Sequence, residues 1–145
     1  DIIFMFKSLH HVPEDKLEQA MHEIHRTLTP GGMTYISEPV FMGSFNNIIR
    51  LFHDEEHVRQ MAYDAIKKSI NNGLFKLADE IFFNATVSFR DFSDFESQVL
   101  DVSHTNHQLD QKTYHEVKSK FEQHLTESGA HFTVPMRVDL LRKID

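Results

Sequence analysis

At 145 residues, with a formal charge of −7, eleven histidines and no cysteine, the sequence has the length of one domain. The acidic balance argues against wrapping a nucleic-acid backbone, which needs a basic surface. The missing cysteines exclude disulfides, thiolate zinc sites and cysteine nucleophiles and fit a cytoplasmic location, and no apolar run approaches the ~18 residues that span a bilayer, so neither nucleic acid nor membrane is an expected partner.

The chain opens without methionine on the apolar run Ile2, Ile3, Phe4, Met5, Phe6, which predicts a strand covered on both faces, as in a parallel sheet. A chain that starts inside a buried strand is expected to be the second half of something larger. Pro13 and Glu14 suit a first helical turn, and Leu17, Ala20, Met21, Ile24 and Leu28 give one apolar stripe. The turn "TPGG", Thr29 to Gly32, stops that helix, and "MTYISEPV" predicts a second strand. Strand, helix, strand makes a right-handed crossover unit.

Helical spacing returns from Gly43 to about Asn72, with "HDEEH" as a break or an exposed turn and "NNG" as a stop. "EIFFNATVSFRDF" predicts a half-buried strand with Ile81, Phe83, Ala85, Val87 and Phe89 on its inner face. "SDFESQVL" predicts a short helix capped by Ser93 or Asp94. Leu109 to Ser128 predicts a helix with Tyr114, Val117, Phe121 and Leu125 on one face and Gly129 as its C-cap. In the closing stretch "HFTVPMRVDLL", Phe132, Val134, Met136, Val138 and Leu140 alternate, and Pro135 suggests an edge or an irregular position.

The opening "DIIFMFKSLHHV", then "EIHRTL", then "TPGGMTYISEP" resembles the second half of a class I S-adenosylmethionine-dependent methyltransferase. The matching positions are Asp1, Leu9, His10, His11, Arg26, Leu28, Pro30, Gly31 and Gly32. The resemblance implies an α/β fold: half of a Rossmann-like methyltransferase sheet, parallel strands plus a C-terminal antiparallel strand, with flanking helices. In that family the strand order is three-two-one-four-five-seven-six, and this chain would hold strands four to seven as neighbours. Residues 1–145 would form a single domain, the C-terminal part of a methyltransferase domain, with 43–75 as a helical insert or lid. Strand four would lack its neighbour, so the expected partner is a missing N-terminal half or a homo-oligomer through the exposed sheet edge. The family's glycine-rich loop and the acid that holds the ribose are absent here.

The implied function is S-adenosylmethionine-dependent methyl transfer to a small-molecule acceptor, with the fragment alone inactive. The alternative is a non-catalytic methyltransferase-like module that dimerises or binds a partner. Ligands sit at the carboxyl ends of strands in open α/β sheets. The loop after the first strand therefore supplies the site candidates: His10 as catalytic base, because its reference pKa is near neutrality, and Phe6, Lys7, Ser8 and His11 against the cofactor. Glu38, Phe41 and Phe45 are acceptor candidates, with Met42 beside them. Tyr35 reads as core. His53 and His57 have a zinc-compatible i, i+4 spacing, but aspartate replaces the glutamate that the zinc-protease pattern needs, so the stretch reads as a solvated charged turn and no metal is expected. His104 and His107 read as surface.

Overall fold

A computed structural model describes residues 1–101 and 109–144; the loop expected around His104 and His107 lies outside them. The elements are β1 (Ile2–Phe6), α1 (Leu17–Thr27), β2 (Met33–Pro39), α2 (Ser44–Ile49), α3 (Glu56–Asn71), β3 (Phe75–Phe89), α4 (Phe92–Phe95), α5 (Gln111–Glu122), β4 (Leu125–Thr126) and β5 (Gly129–Lys143). The sheet order is β1-β2-β5-β3, with β4 paired to β5. β1 and β2 run parallel, from Ile2 opposite Met33 to Phe6 opposite Ser37. β5 is antiparallel to β2, from Arg142 opposite Met33 to Met136 opposite Pro39. This is the implied four-five-seven-six order. No helix among the described residues is long and apolar enough to cross a membrane.

The chain divides into two compact units. The first holds residues 1–41, 55–83 and 135–145. Its core is Leu9, Leu17, Met21, Ile24, Leu28, Ile36, Ala62, Ile66, Phe75 and Leu141, with Ile3 and Met5 against it. Paired strand residues share a face, so Ile3, Met5, Ile36 and Leu141 meet α1 and α3 on one side of the sheet. The turn after α1 shows why its residues go together. Asp1 Oδ1 accepts from Thr29 N (3.2 Å) and Thr29 Oγ1 (2.8 Å), and a Cβ on Gly32 would sit 2.5 Å from that same oxygen. The acid that opens the first strand thus ties down a turn that only glycine can bring so close.

The other face of β1 departs from expectation. Ile2, Phe4 and Phe6 are 47%, 54% and 62% exposed, so the run is covered on one face only. Among the described residues β1 ends the sheet. Tyr35 is only half-buried and joins this face, its ring 5.6 Å from Phe4 and 5.7 Å from Phe6.

The second unit holds residues 42–54 and 84–134. Its core is aromatic: Phe89, Phe92, Phe95, Phe121 and Phe132 pack with Ile48, Leu100, Val117 and Ala130. α4 is capped by Asp91, which accepts from Asp94 N, and not by Ser93 or Asp94; a five-residue π turn, Glu96–Leu100, continues it. α5 stops at Glu122, six residues before Ser128, and Leu125 belongs to β4, 41% exposed. Gly129 is therefore no C-cap. It opens β5 at φ +102°, where a Cβ would stand 2.5 Å from Phe89 O.

Two strand expectations also change. β3 begins at Phe75, and Ile81 and Phe83 are 43% and 44% exposed. Among the described residues β3 ends the sheet order. Pro135 lies in an interior strand, beyond the last β2–β5 pair, where its carbonyl accepts from Val40 N at 2.9 Å.

Candidate functional site

The site is built on the carboxyl ends of β1 and β2, within the first unit. The chain leaves β1 through Lys7, whose φ of 50° lies in the left-handed region that non-glycine residues seldom occupy. Strain of this kind gathers where structure around it is well determined. Here Lys7 N donates to Ser37 O at 2.8 Å, and the turn delivers two amides to one carboxylate. Ser8 N and Leu9 N donate to Glu38 Oε1 at 3.1 and 2.8 Å. Glu38 Oε2 takes a short hydrogen bond from His10 Nδ1. Both side chains are buried, at 3% and 4% exposure. An ionised carboxylate only accepts, so the ring donates from Nδ1 and its Nε2 faces away from Glu38.

His10 Nε2 lies 3.9 Å from Glu55 Oε1. Arg59, four residues along at the start of α3, donates to Glu55 Oε2 from Nε (3.1 Å) and Nη2 (2.6 Å), and its guanidinium lies 5.5 Å from the Phe41 ring centroid. Arg137 stacks 3.7 Å over Tyr63 and donates to the buried Asp139 at 2.8 Å. Burial pushes the Asp139 carboxyl up, and Arg137 only partly offsets this. A cleft of about 160 Å³ lies beside these groups, lined by Phe41, Arg59, Tyr63 and Arg137 among others. The larger cavity, about 250 Å³, is lined by α1 and α3 residues such as Glu18, His22 and Lys68 and by none of the strand-end candidates.

Of the expected residues, Ser8, His10 and Glu38 come together directly, with the His11 ring 4.1 Å from that of His10. Phe41 borders the cleft. Lys7 shapes the loop and is itself exposed. Phe6 shows its ring on the opposite face, stacked 5.7 Å from Phe4. Met42 is 62% exposed, and Phe45 packs in the second unit, 6.1 Å from Phe89 and 5.5 Å from Phe132. His57 pairs with Glu14 at 3.0 Å. The "HDEEH" stretch is not wholly solvated: the Glu55 side chain is only 12% exposed. Glu55 and Arg59 escaped the sequence reading, although their i, i+4 spacing at a helix start was a usable signal.

Residues 1–36 match a family model described as a methyltransferase domain. No curated protein sequence matches the chain. Among solved structures, the chain is similar to a candidate methyltransferase of Bacillus halodurans C-125, at 14% identity and a TM-score of 0.58, covering 99% of this chain and 64% of that one. The chain thus spans less than two thirds of that protein. A phosphoethanolamine N-methyltransferase 2 of Haemonchus contortus, solved with phosphomonomethylethanolamine and S-adenosylhomocysteine, superposes at 15% identity and a TM-score of 0.30, with 96% and 33% coverage, too loosely to carry weight. The sheet order and the first of these structures give the chain a methyltransferase-like α/β fold, and the methyltransferase-domain match covers its first thirty-six residues.

Proposed function

We propose that the chain is part of an enzyme that moves the methyl group of S-adenosylmethionine to a small-molecule acceptor. The observation that carries this reading is the Glu38 carboxylate, which binds two loop amides and His10 at the carboxyl ends of two parallel strands. Ligands of open α/β sheets gather there. The loop Phe6–His11 would border the methionine part of the cofactor, with Glu38 and Phe41 toward the acceptor. The reaction breaks the sulfonium–methyl bond and forms a bond from methyl to acceptor. S-adenosylmethionine, when bound, would supply the methyl group and leave as the neutral thioether, and His10 Nε2 would take the acceptor's proton. Glu38 orients that ring through Nδ1. Positioning carries most of such a displacement, and an imidazole suits an acceptor that must lose a proton.

The sequence holds no glycine-rich cofactor loop, so this chain supplies only part of the cofactor site. Calorimetric titration of S-adenosylhomocysteine tests this in two samples, the 145 residues alone and the chain extended upstream along its reading frame. Binding by the extended chain alone supports a split site. Binding by neither removes the enzyme.

The exposed row Ile2, Phe4, Phe6 favours a second reading, an interaction module. In the enzyme reading this row is covered by the strand that carries the glycine-rich loop in class I methyltransferases; in the module reading it is covered by a second copy or another partner. Sedimentation velocity discriminates: self-association of the 145 residues, with no S-adenosylhomocysteine binding in either sample, replaces that strand with a second copy of this chain.

A further inference from the structure

His10, His11 and Glu55 each bring one ligand atom within 4.8 Å of the other two. His10 Nε2 and Glu55 Oε1 stand 3.9 Å apart. That is too long for a hydrogen bond. It is shorter than the about 4.2 Å that two zinc–ligand bonds span end to end, so one ion can reach both atoms. The His11 ring lies against that of His10, and His11 is exposed, so a side-chain rotation can bring its nitrogen in.

The groups behind these three are arranged as metal sites require. A metal-bound imidazole almost always donates its other N–H to a carboxylate or a carbonyl, which fixes the ring and raises its basicity. Glu38 does this for His10, and two backbone amides in turn hold Glu38. Arg59 does the same for the carboxylate, gripping Glu55 Oε2 while Oε1 faces His10.

We propose that His10 Nε2, an imidazole nitrogen of His11 and a carboxylate oxygen of Glu55 bind a divalent transition-metal ion of the zinc type. Two imidazoles select zinc over magnesium or calcium, which take oxygen. Three protein ligands leave a fourth tetrahedral position for water or a small ligand. The bound ion occupies the Nε2 lone pair, so the metal-loaded protein lacks the base invoked above. Metal binding and proton removal by His10 exclude one another. The site itself stands independently of the methyl-transfer reading, because its ligands are defined by geometry alone.

The test is titration of zinc chloride into the full chain by calorimetry in a non-chelating buffer, with Co²⁺ absorption as a second readout. One saturable equivalent is expected. His11→Ala and Glu55→Gln should each weaken binding at least about tenfold, and Glu38→Gln by about tenfold, the scale on which supporting hydrogen bonds act. The double variant His22→Ala/His115→Ala, two exposed histidines outside the cluster, should bind as the parent does. If a site variant misfolds, zinc-induced shifts of the His10 and His11 ring resonances in the unmodified chain decide the matter. Unchanged affinity in the folded His11→Ala and Glu55→Gln variants, ring shifts confined to other histidines, or no saturable binding at millimolar zinc would overturn the site. S-adenosylhomocysteine binding plays no part in any of these outcomes.

Discussion

The two units of this chain solve the burial problem in opposite ways. The second fills its core with rings: Phe121 lies 5.0 to 6.0 Å from Phe89, Phe92, Phe95 and Phe132. The first buries chemistry beside its aliphatic core. His10, Glu38, Arg137 and Asp139 are all nearly inaccessible there, whereas Asn46 is the one buried polar side chain of the second unit among the described residues. Rings need only shape and give stability; buried polar groups need every partner in place. The second unit is built as an aromatic scaffold, and the candidate site lies wholly among residues of the first.

Phe121→Ala should have the largest effect. It removes a ring with 0% exposure and leaves a cavity, for a cost of about 3–5 kcal/mol. The urea midpoint should fall, with amide exchange rising first in the second unit's residues. A loss below about 1 kcal/mol would mean that the aromatic core can collapse around the gap, and the contrast would fail. Glu38→Ala comes next. It strands the Ser8 and Leu9 amides and His10 Nδ1, each at about 1–3 kcal/mol if it stays buried and unpaired, or about 2–4 kcal/mol after relaxation. Glu38→Gln should cost less, because its oxygen still serves the amides. It should nevertheless shift the His10 ring tautomer, read from nitrogen chemical shifts. Equal losses for the two variants would make Glu38 a packing residue rather than an orienting one.

The edge of β1 gives a smaller effect in stability and a sharper one in association. Phe4→Lys with Phe6→Lys alters two side chains that are already more than half exposed, so folding stability should change by no more than about 0.5 kcal/mol per site. A lysine edge blocks strand pairing. Any concentration-dependent sedimentation of the parent chain should disappear in the double variant. Unchanged association would move the interface away from β1.

The opening of the chain was legible because its signals agree. Leu17, Met21, Ile24 and Leu28 share a helical face, and Asp1 and Gly32 leave their mark as an acid and a PGG turn. The region after Phe89 was not. Leu125 continues the spacing of Val117 and Phe121 by coincidence, so the stripe hid a hairpin that Thr126 closes by donating to Gly129 O at 2.7 Å. Asp91, Ser93 and Asp94 are all good caps, and only backbone geometry selects Asp91. At the site, His10 and Glu38 could be named singly from their places at strand ends. That Glu55 faces His10 depends on a contact between residues forty-five apart in sequence, which no local pattern in "HDEEH" encodes.

Acid titration separates the two units most subtly. In the second unit, Asp94 accepts from Arg90 N at 2.9 Å, from Gln98 at 2.9 Å and from the Arg90 guanidinium at 3.3 Å, and these bonds hold its carboxyl at about 2 against an ordinary 3.8. Asp110 is lowered as well, by Thr113 N. A carboxyl lowered in the fold contributes stability above its ordinary pKa, and that contribution is lost as pH falls through the folded value. In the first unit the exposed Glu18 follows the same rule through Lys68, but the buried Asp139 reverses it. Its pKa is raised by desolvation, so its contribution is present at low pH and is lost as pH rises through the raised value. Asp94→Asn should therefore flatten the acid limb of the urea midpoint between pH about 4 and 2. Asp139→Asn should remove a slope of opposite sign above pH about 4, where the parent loses stability on ionising a carboxyl that Arg137 does not fully compensate. Parallel midpoint curves for parent and Asp139→Asn would show that Arg137 neutralises the acid completely. The buried polar groups of the first unit would then carry no standing cost, and that part of the contrast with the aromatic core would be lost.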